Sequence, residues 1–187
     1  MVHTRGEEMG KSAIDTQKLR ELIRDVPDYP KKGIVFKDIT TLIKRGDAFD
    51  EVINIFFEKC KEKKVDLVAA VESRGFIFGG VLANRLKVGF IPVRKFGKLP
   101  ARTVEQKYDL EYGTDTLEIH KDAVTPGQRV LIVDDLLATG GTIQATCKLV
   151  EKLGGEVVGI LIMIELGFLN GRDKLKDYDL FTLITYE

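Results

Sequence analysis

Two segments near the start of the chain carry apolar residues at helical spacing, three or four positions apart. The first spans residues 16–26, and its apolar positions are Leu19, Leu22, Ile23 and Val26. The second spans roughly residues 47–64, with Phe49, Val52, Ile53, Phe56 and Cys60 on one side. A loop at 27–33 with prolines and a glycine separates them and leads into the short apolar run 34–36. The chain is therefore predicted to begin with two helices joined by a small irregular region.

Five continuous apolar runs follow, and they lack the polar alternation of a half-exposed strand. They span residues 66–72, 88–94, 129–135, 156–164 and 179–186. Such runs are typical of strands that are covered on both faces. Helical patterns at 75–86 and 141–153 lie between some of them, and this alternation favours right-handed crossovers. We predict an α/β fold, a single domain over 14–187 with a five-stranded, mostly parallel sheet flanked by helices and a small N-terminal hood.

One long stretch breaks the alternation. Residues 95–127 are polar and rich in Gly and Pro, with only a weak strand pattern at 116–119. An insertion of this length in a compact domain is usually a functional loop, so we predict a mobile lid over about 95–127. Residues 1–13 are polar and charged, and we expect a disordered tail or a vector-derived remnant there.

Composition narrows the classes of function. Hydrophobic residues make up 44% of the 187 residues, which is enough for a full core. Lys plus Arg and Asp plus Glu number 29 each, so no overall positive field favours nucleic acid or an anionic membrane. The chain has no Trp and only 5 Tyr, which also argues against an aromatic platform for nucleic acid. We expect neither partner, and a bound anion must be held by a local site.

Cysteine usage and the N-terminal segment bear on location. Cys60 and Cys147 lie in amphipathic helical patterns, away from any CxxC pair or His cluster. We interpret both as buried thiols in a reducing environment, and we expect a cytoplasmic protein. The N-terminal segment lacks the apolar core of a secretory signal, and no run approaches the ~20 apolar residues of a membrane span.

The strongest chemical signal is VLIVDDLLATGGT, residues 130–142. A buried strand ends in two carboxylates, a loop of small residues follows, and a helix then begins. Ligands of open parallel sheets bind beyond the carboxyl ends of the strands, and free amides at a helix N-terminus bind phosphate. The loop can therefore hold a phosphate with backbone N–H groups and two hydroxyls, and its residues are Ala138, Thr139, Gly140, Gly141 and Thr142. The sequence has no GxxxxGK, which argues against a nucleoside triphosphate P-loop.

Asp134 and Asp135, at the end of the same strand, would by themselves repel a phosphate. They make sense if the ligand also presents hydroxyl donors or a metal ion there. A ribose 5-phosphate meets both demands, because its phosphate reaches the loop and its 2′- and 3′-hydroxyls reach the acids. The alternative is an acid pair that ends the strand and caps the turn.

This stretch resembles the phosphoribosyl pyrophosphate motif of the type I phosphoribosyltransferases. Four further segments, VFKDIT, ESRGFIFGG, RKFGKLP and LEYGTDTLEIHKDA, resemble the adenine phosphoribosyltransferases and occur in the expected order. Together they cover the chain from about Asp15 to Glu187. The resemblance implies transfer of a phosphoribosyl group from phosphoribosyl pyrophosphate to adenine, giving AMP and pyrophosphate. It also implies Mg²⁺ as cofactor and a homodimer.

The resemblance assigns the leaving pyrophosphate to two strand-end loops. Glu72, Ser73 and Arg74 match the family's pyrophosphate loop, where the peptide bond before the serine is often cis. Arg74 is expected to pair with pyrophosphate oxygens, and a surface ion pair is the alternative. The next strand ends in basic residues that would clamp the same group, unless they form a solvated basic face: Arg94, Lys95 and Lys98. Mg²⁺ would be held mainly by substrate oxygens and water, with no protein ligand directly assigned.

The resemblance also places a catalytic proton acceptor in the predicted lid. Glu111 matches a family glutamate proposed to handle the proton on the base nitrogens, and Tyr112 matches a lid tyrosine. An exposed loop acid is the alternative for Glu111, and Asp109 and Glu105 are rivals for its role. A closing lid would exclude water, which competes with the base as nucleophile.

Base recognition is assigned to the VFKDIT segment. Backbone groups of Val35 and the side chain of Lys37 are expected to meet adenine, with Phe36 as a wall of the pocket. Many relatives carry Arg in place of Lys37, and lysine cannot make the bidentate contacts of a guanidinium. Leu166 matches an apolar residue packed on the base, although it could equally be ordinary core. Two other functions stay open: transfer to another purine base, and a non-catalytic regulator that binds phosphoribosyl pyrophosphate.

Overall fold

The computed structural model describes residues 16–109 and 113–187, which fall into two units that part between Arg45 and Gly46. The N-terminal unit consists of α1 (Thr16–Glu21), β1 (Arg24–Pro27), β2 (Val35–Asp38) and α2 (Thr40–Ile43). Strands β1 and β2 pair antiparallel. This unit corresponds to the predicted hood.

The helix predicted over 16–26 is wrong in its second half. α1 ends at Glu21, and residues 24–27 are extended so that Val26 pairs with Phe36 of β2. Helical spacing of apolar residues reports only which side chains are buried, and here pairing with β2 decided the backbone conformation of the last three positions, residues 24–26.

The second unit contains the remaining elements. Its helices are α3 (Gly46–Cys60), α4 (Gly75–Leu86) and α5 (Gly141–Lys152). Its strands are β3 (Leu67–Val71), β4 (Gly89–Lys95), β5 (Thr103–Asp109), β6 (Thr114–His120), β7 (Arg129–Leu137), β8 (Glu156–Leu166) and β9 (Leu180–Tyr186). Two short 3-10 helices, Gly167–Leu169 and Gly171–Leu175, lie between β8 and β9. No helix in the two described ranges combines the length and the apolar character needed to cross a membrane.

The strands of the second unit form one sheet in the order β5-β6-β4-β3-β7-β8-β9. The five strands β4, β3, β7, β8 and β9 run parallel, which confirms the predicted parallel core. Strands β5 and β6 form an antiparallel hairpin that joins the edge of this core through β6 and β4. In the described part of the chain the sheet therefore has seven strands, and the predicted total of five is wrong.

The two further strands lie inside the segment predicted as a lid, where the sequence showed only the weak strand pattern at 116–119 that falls within β6. β5 alternates half-buried and exposed side chains along most of its length, so it lacks the continuous apolar run by which the other strands were recognised. Its pairing with β6 from Thr103 opposite His120 to Asp109 opposite Thr114 turns much of the 95–127 segment into sheet.

Both faces of the central strands are buried, as continuous apolar runs predict. One face, which includes Ala69, Ile132 and Ile162, packs against apolar side chains of α5. On the other face α4 lies against β3, and a Cβ added to Gly79 would be 2.5 Å from the Cβ of Ala70. Because the core strands are parallel, the loops that follow β3, β4, β7 and β8 leave the same edge of the sheet.

Candidate active site

The loop after β7 has the geometry of a phosphate site. β7 continues to Leu137, residues 138–140 form the turn, and α5 begins at Gly141. Gly140 has φ +79°, a left-handed conformation that glycine adopts at little cost. The first N–H groups of α5 have no acceptor within the helix and carry the positive end of its dipole. The structure therefore brings Ala138, Thr139, Gly140, Gly141 and Thr142 together as the sequence predicts.

The end of β5 lies directly against this loop, which sequence reasoning did not anticipate. A Cβ added to Gly141 would lie 2.6 Å from the carbonyl oxygen of Asp109 and 3.2 Å from the Tyr108 ring. Burial raises the pKa of the Tyr108 phenol, and the Thr142 side chain opposes that shift. The end of β5 therefore lies beside the phosphate loop. Residues 110–112, which include the predicted lid residues Glu111 and Tyr112, lie outside the described residues.

The two carboxylates at the end of β7 are buried, with exposures of 7% for Asp134 and 5% for Asp135. The backbone N–H of Asp135 donates to Oδ1 of Asp134 over 2.9 Å. Burial and the negative charge of Asp135 raise the pKa of Asp134 well above its ordinary value. Burial also raises the pKa of Asp135, although the Arg74 guanidinium opposes that shift. Two buried acids in this state favour a ligand that donates hydrogen bonds or brings positive charge.

The loop after β3 meets this acid pair. Arg74 Nε lies 2.8 Å from Oδ2 of Asp135, and the peptide bond between Glu72 and Ser73 is cis, as the resemblance implied. Gly75, the first residue of α4, lies so close to Asp134 that an added Cβ would be 2.7 Å from its Oδ1. The serine–arginine–glycine segment is therefore packed onto the acids, and Arg74 is an ion-pair partner of Asp135 in this state.

The basic residues at the end of β4 are held by carboxylates. Glu72 Oε2 accepts from Arg94 Nε at 3.1 Å and from Arg94 Nη2 at 2.9 Å, and Glu72 Oε1 accepts from the Lys95 backbone N–H at 2.7 Å. Burial raises the pKa of Glu72, but the Lys95 N–H and Arg94 outweigh it and leave the pKa below its ordinary value. Lys95 Nζ lies 3.1 Å from Oδ2 of Asp115. Glu72 therefore orders the basic residues, and its own carboxylate is engaged by them.

Glu118 is a residue of this region that sequence reasoning missed. It is 2% exposed, and its Oε1 accepts hydrogen bonds from the backbone N–H groups of Lys98 and Leu99, both over 2.9 Å. The sequence feature that could have revealed Glu118 is its place between two apolar residues, Leu117 and Ile119, which the fold buries. A buried carboxylate needs such partners. It fixes the backbone that carries Lys98.

The residues predicted to read the base belong to different units. Val35, Phe36 and Lys37 lie on β2 in the N-terminal unit, where Val35 is 47% exposed. Lys37 Nζ lies 2.6 Å from Oδ1 of Asp25 on the paired strand β1. Leu166 is the last residue of β8 in the second unit.

The second unit thus joins a phosphate loop, a buried acid pair and two carboxylate-ordered basic loops at one edge of a parallel sheet. Among the residues with described positions, no group of three or more His, Cys, Asp or Glu side chains is arranged to hold a metal ion. The carboxylate oxygens of Asp134 and Asp135 are nevertheless donors of the kind that Mg²⁺ accepts, directly or through water.

These features define a phosphoribosyltransferase, and residues 39–186 match the family model described as a phosphoribosyl transferase domain. The chain therefore belongs to this family. Within it, the similar curated proteins are adenine phosphoribosyltransferases. That of a Thermoanaerobacter species is 59% identical over 170 residues, covering 91% of this chain and 98% of that one. That of Acidobacterium capsulatum is 56% identical over 174 residues, covering 93% and 96%.

Solved structures agree with this assignment. The crystal structure of adenine phosphoribosyltransferase from Thermoanaerobacter pseudethanolicus superposes with a TM-score of 0.89 at 58% identity, covering 91% of this chain and 99% of that chain. The Saccharomyces cerevisiae enzyme, solved with an imino-altritol bisphosphate and adenine, has a TM-score of 0.85 at 41% identity, with coverage of 90% and 97%.

Proposed function

We propose that the protein transfers the phosphoribosyl group of phosphoribosyl pyrophosphate to adenine, giving AMP and pyrophosphate in purine salvage. One observation carries this proposal: a phosphate loop and a buried pair of carboxylates lie next to each other at the end of β7. Similarity to adenine phosphoribosyltransferases over more than nine tenths of the chain supports adenine as the base.

The phosphoribosyl half of the substrate fits the β7 end. Its 5′-phosphate would lie in the loop of residues 138–142, where it would accept from the first N–H groups of α5 and meet the positive end of the helix dipole. Its 2′- and 3′-hydroxyls would donate to Asp134 and Asp135, which are buried and whose pKa values burial raises. Anchoring both ends of the ribose fixes the anomeric carbon, and such positioning can lower a barrier by about 7–11 kcal/mol.

The departing pyrophosphate would meet the basic loops. Substitution at the anomeric carbon develops positive charge on the ribose and negative charge on the leaving group, so cations beside the leaving group stabilise the transition state. Arg74 is suited to this role because ribose hydroxyls that donate to Asp135 would free its guanidinium for pyrophosphate oxygens. Arg94, Lys95 and Lys98 would act from the next loop, held by Glu72 and Glu118.

Mg²⁺ fits the same end of the site because it takes oxygen ligands and keeps several waters. When bound, it would neutralise part of the pyrophosphate charge. Asp134 and Asp135 would approach it through water or through the ribose hydroxyls, and the substrate oxygens would supply most of its ligands.

The residues that would accept the proton of adenine and bind the base are those that match the adenine phosphoribosyltransferases. Glu111 would accept the proton that adenine loses as the new C–N bond forms, and Tyr112 would act in the lid. Val35, Phe36 and Lys37 would meet adenine, and Leu166 matches an apolar residue that packs on the base in relatives. The ion pair with Asp25 holds the Lys37 ammonium at one position, which suits a single ring-nitrogen contact.

We also propose a homodimer in the cytoplasm. Val81 of α4 and Phe90 of β4 are 42% and 38% exposed, which supports an apolar surface that a second copy covers. The free, buried thiols of Cys60 and Cys147 support a reducing compartment. Sedimentation at micromolar concentration is expected to give a dimer, and a fully active monomer would contradict the assembly.

The ribose assignment is tested by the double variant Asp134→Asn with Asp135→Asn. We expect loss of AMP formation with an unchanged circular dichroism spectrum, because the hydroxyls lose their charged acceptors. The control replaces two exposed aspartates, Asp50→Asn with Asp122→Asn, and should keep full activity. Near-normal turnover in the first variant would exclude the ribose role of the acid pair.

A further inference from the structure

The phosphate loop rests on a turn that follows β8. A Cβ added to Gly171 would lie 2.1 Å from the carbonyl oxygen of Ala138 and 2.9 Å from the backbone nitrogen of Gly140. In the opposite direction, a Cβ added to Gly140 would lie 2.3 Å from the carbonyl oxygen of Gly171. Backbone therefore packs on backbone with no room for a methyl group on either side. The position of the loop depends on the position of this turn.

A three-residue cluster built around one buried carboxylate, that of Glu165, holds the turn. Arg172, directly after Gly171, donates from Nε to Glu165 Oε1 over 3.0 Å and from Nη2 to Glu165 Oε2 over 2.6 Å. Thr182 Oγ1 donates to Glu165 Oε2 over 2.8 Å and accepts from Arg172 Nη2 over 3.0 Å. Glu165 lies on β8 and Thr182 on β9, so the cluster ties the turn to two core strands.

The charges in this cluster fix the geometry with which it holds the turn. Glu165 is 5% exposed, so its carboxylate has lost most of its water and needs these donors. The hydrogen bond from Arg172 lowers the pKa of Glu165 more than burial raises it. The two-point contact of a planar guanidinium fixes direction as well as distance, which a lysine would not do. A second, weaker link comes from α5, where Gln144 Nε2 donates to the Lys174 carbonyl over 3.3 Å.

We propose that Glu165, Arg172 and Thr182 are positioning residues for the phosphate loop. They hold Gly171 against Ala138 and Gly140, and thereby set the loop amides at the spacing that the 5′-phosphate requires. The three residues reach the substrate only through the loop, so they are distinct from the residues that bind it. This inference rests on the proposed phosphoribosyl pyrophosphate site.

Arg172→Ala tests the inference by its effect on two substrates. We expect the Kd for phosphoribosyl pyrophosphate, measured by titration calorimetry with Mg²⁺ present, to rise on the order of tenfold or more. A shift of about 1 Å in a substrate-positioning element can cost a hundredfold. The KM for adenine should stay within about twofold at saturating phosphoribosyl pyrophosphate, since the loop serves the phosphate end. Arg172→Lys should recover only part of the affinity, because it keeps the charge and loses the fork.

A matched control separates positioning from stability. Arg129 makes a similar pair, donating from Nη1 to both oxygens of Glu156 over 2.9 Å, at the opposite ends of the neighbouring strands β7 and β8. Arg129→Ala should lower the melting temperature and leave the Kd for phosphoribosyl pyrophosphate unchanged. Thr182→Val removes one hydroxyl at nearly constant volume and should weaken binding by a smaller factor than Arg172→Ala. If Arg172→Ala fails to fold, the Kd of Thr182→Val for phosphoribosyl pyrophosphate provides the test in its place.

The inference is overturned if folded Arg172→Ala, or Thr182→Val in its place, binds phosphoribosyl pyrophosphate as the wild type does. An equal loss of affinity in Arg129→Ala would also overturn it, because the effect would then be global. Binding of phosphoribosyl pyrophosphate is measured in the absence of adenine, so the positioning role and the proposed transfer reaction can fail independently. A wild type that binds phosphoribosyl pyrophosphate but makes no AMP contradicts only the proposed function.

Discussion

Replacing Gly140 by Ala perturbs the phosphate loop in two separable ways. Gly140 has φ +79°, and an L-residue in this conformation costs about 1–2 kcal/mol. The new methyl group would also lie 2.3 Å from the Gly171 carbonyl oxygen, where backbone has to move. Gly127 offers a matched control, since it has φ +86° and nothing within 4 Å of its added Cβ. Gly127→Ala carries the conformational cost alone.

The magnitudes follow from these distances. Gly127→Ala should lower the melting temperature by roughly 2–8 °C, since 1 kcal/mol corresponds to about 2–4 °C in a chain of this size. Gly140→Ala adds an overpacking cost of about 1–3 kcal/mol, partly relieved by displacement of the loop. Displacement removes the phosphate amides from their positions, so the affinity for phosphoribosyl pyrophosphate should fall by at least about tenfold.

Scanning fluorimetry and titration calorimetry on the two variants provide the assay. We expect Gly127→Ala to bind phosphoribosyl pyrophosphate with the wild-type Kd, and Gly140→Ala to bind it weakly or not at all. Wild-type affinity in Gly140→Ala would refute the reasoning, because it would mean that the loop backbone does not contact the phosphate.

Three further predictions concern titratable groups. Asp134→Asn should raise the melting temperature of the ligand-free protein at pH 8. Because the pKa of Asp134 is raised above its ordinary value of 3.8, the wild-type protein loses stability as the pH rises from about 3.8 through the folded-state pKa. The gain in melting temperature from Asp134→Asn should therefore vanish near pH 4. A gain that does not depend on pH would contradict this. Glu111→Gln should lower kcat more than it weakens phosphoribosyl pyrophosphate binding, and unchanged turnover would move the proton role elsewhere. Burial raises the pKa of Cys60 to about 11 and of Cys147 to about 12, so both thiols should react with a disulfide reagent only on unfolding; rapid reaction in the native state would contradict their burial.

The parallel core was predictable because its signal is local and strong. Fully buried strands read as unbroken apolar runs, and β7 ends in a motif whose chemistry is contained within residues 130–142. The phosphate loop and the acid pair were therefore recognised from adjacent residues alone.

The missed elements depend on contacts between distant residues. β5 alternates half-buried and exposed side chains and so lacks a continuous apolar run, and β1 takes its conformation from pairing with β2. The contact of Gly171 with Ala138 and the burial of Glu118 arise only once the sheet brings separate loops together. A single sequence carries no record of such pairs, and Arg172 in it looks like any charged surface residue.

The central claim is transfer to adenine, and a panel of bases tests it most directly. The protein is incubated with Mg²⁺ and phosphoribosyl pyrophosphate, and adenine, hypoxanthine, guanine, xanthine and orotate are offered separately while nucleotide product is measured. We predict AMP from adenine and no product from the other bases, with Lys37 sufficient where many relatives use arginine. Product from an oxopurine instead of adenine would contradict the assigned base, and binding of phosphoribosyl pyrophosphate without product from any base would contradict the enzyme assignment itself.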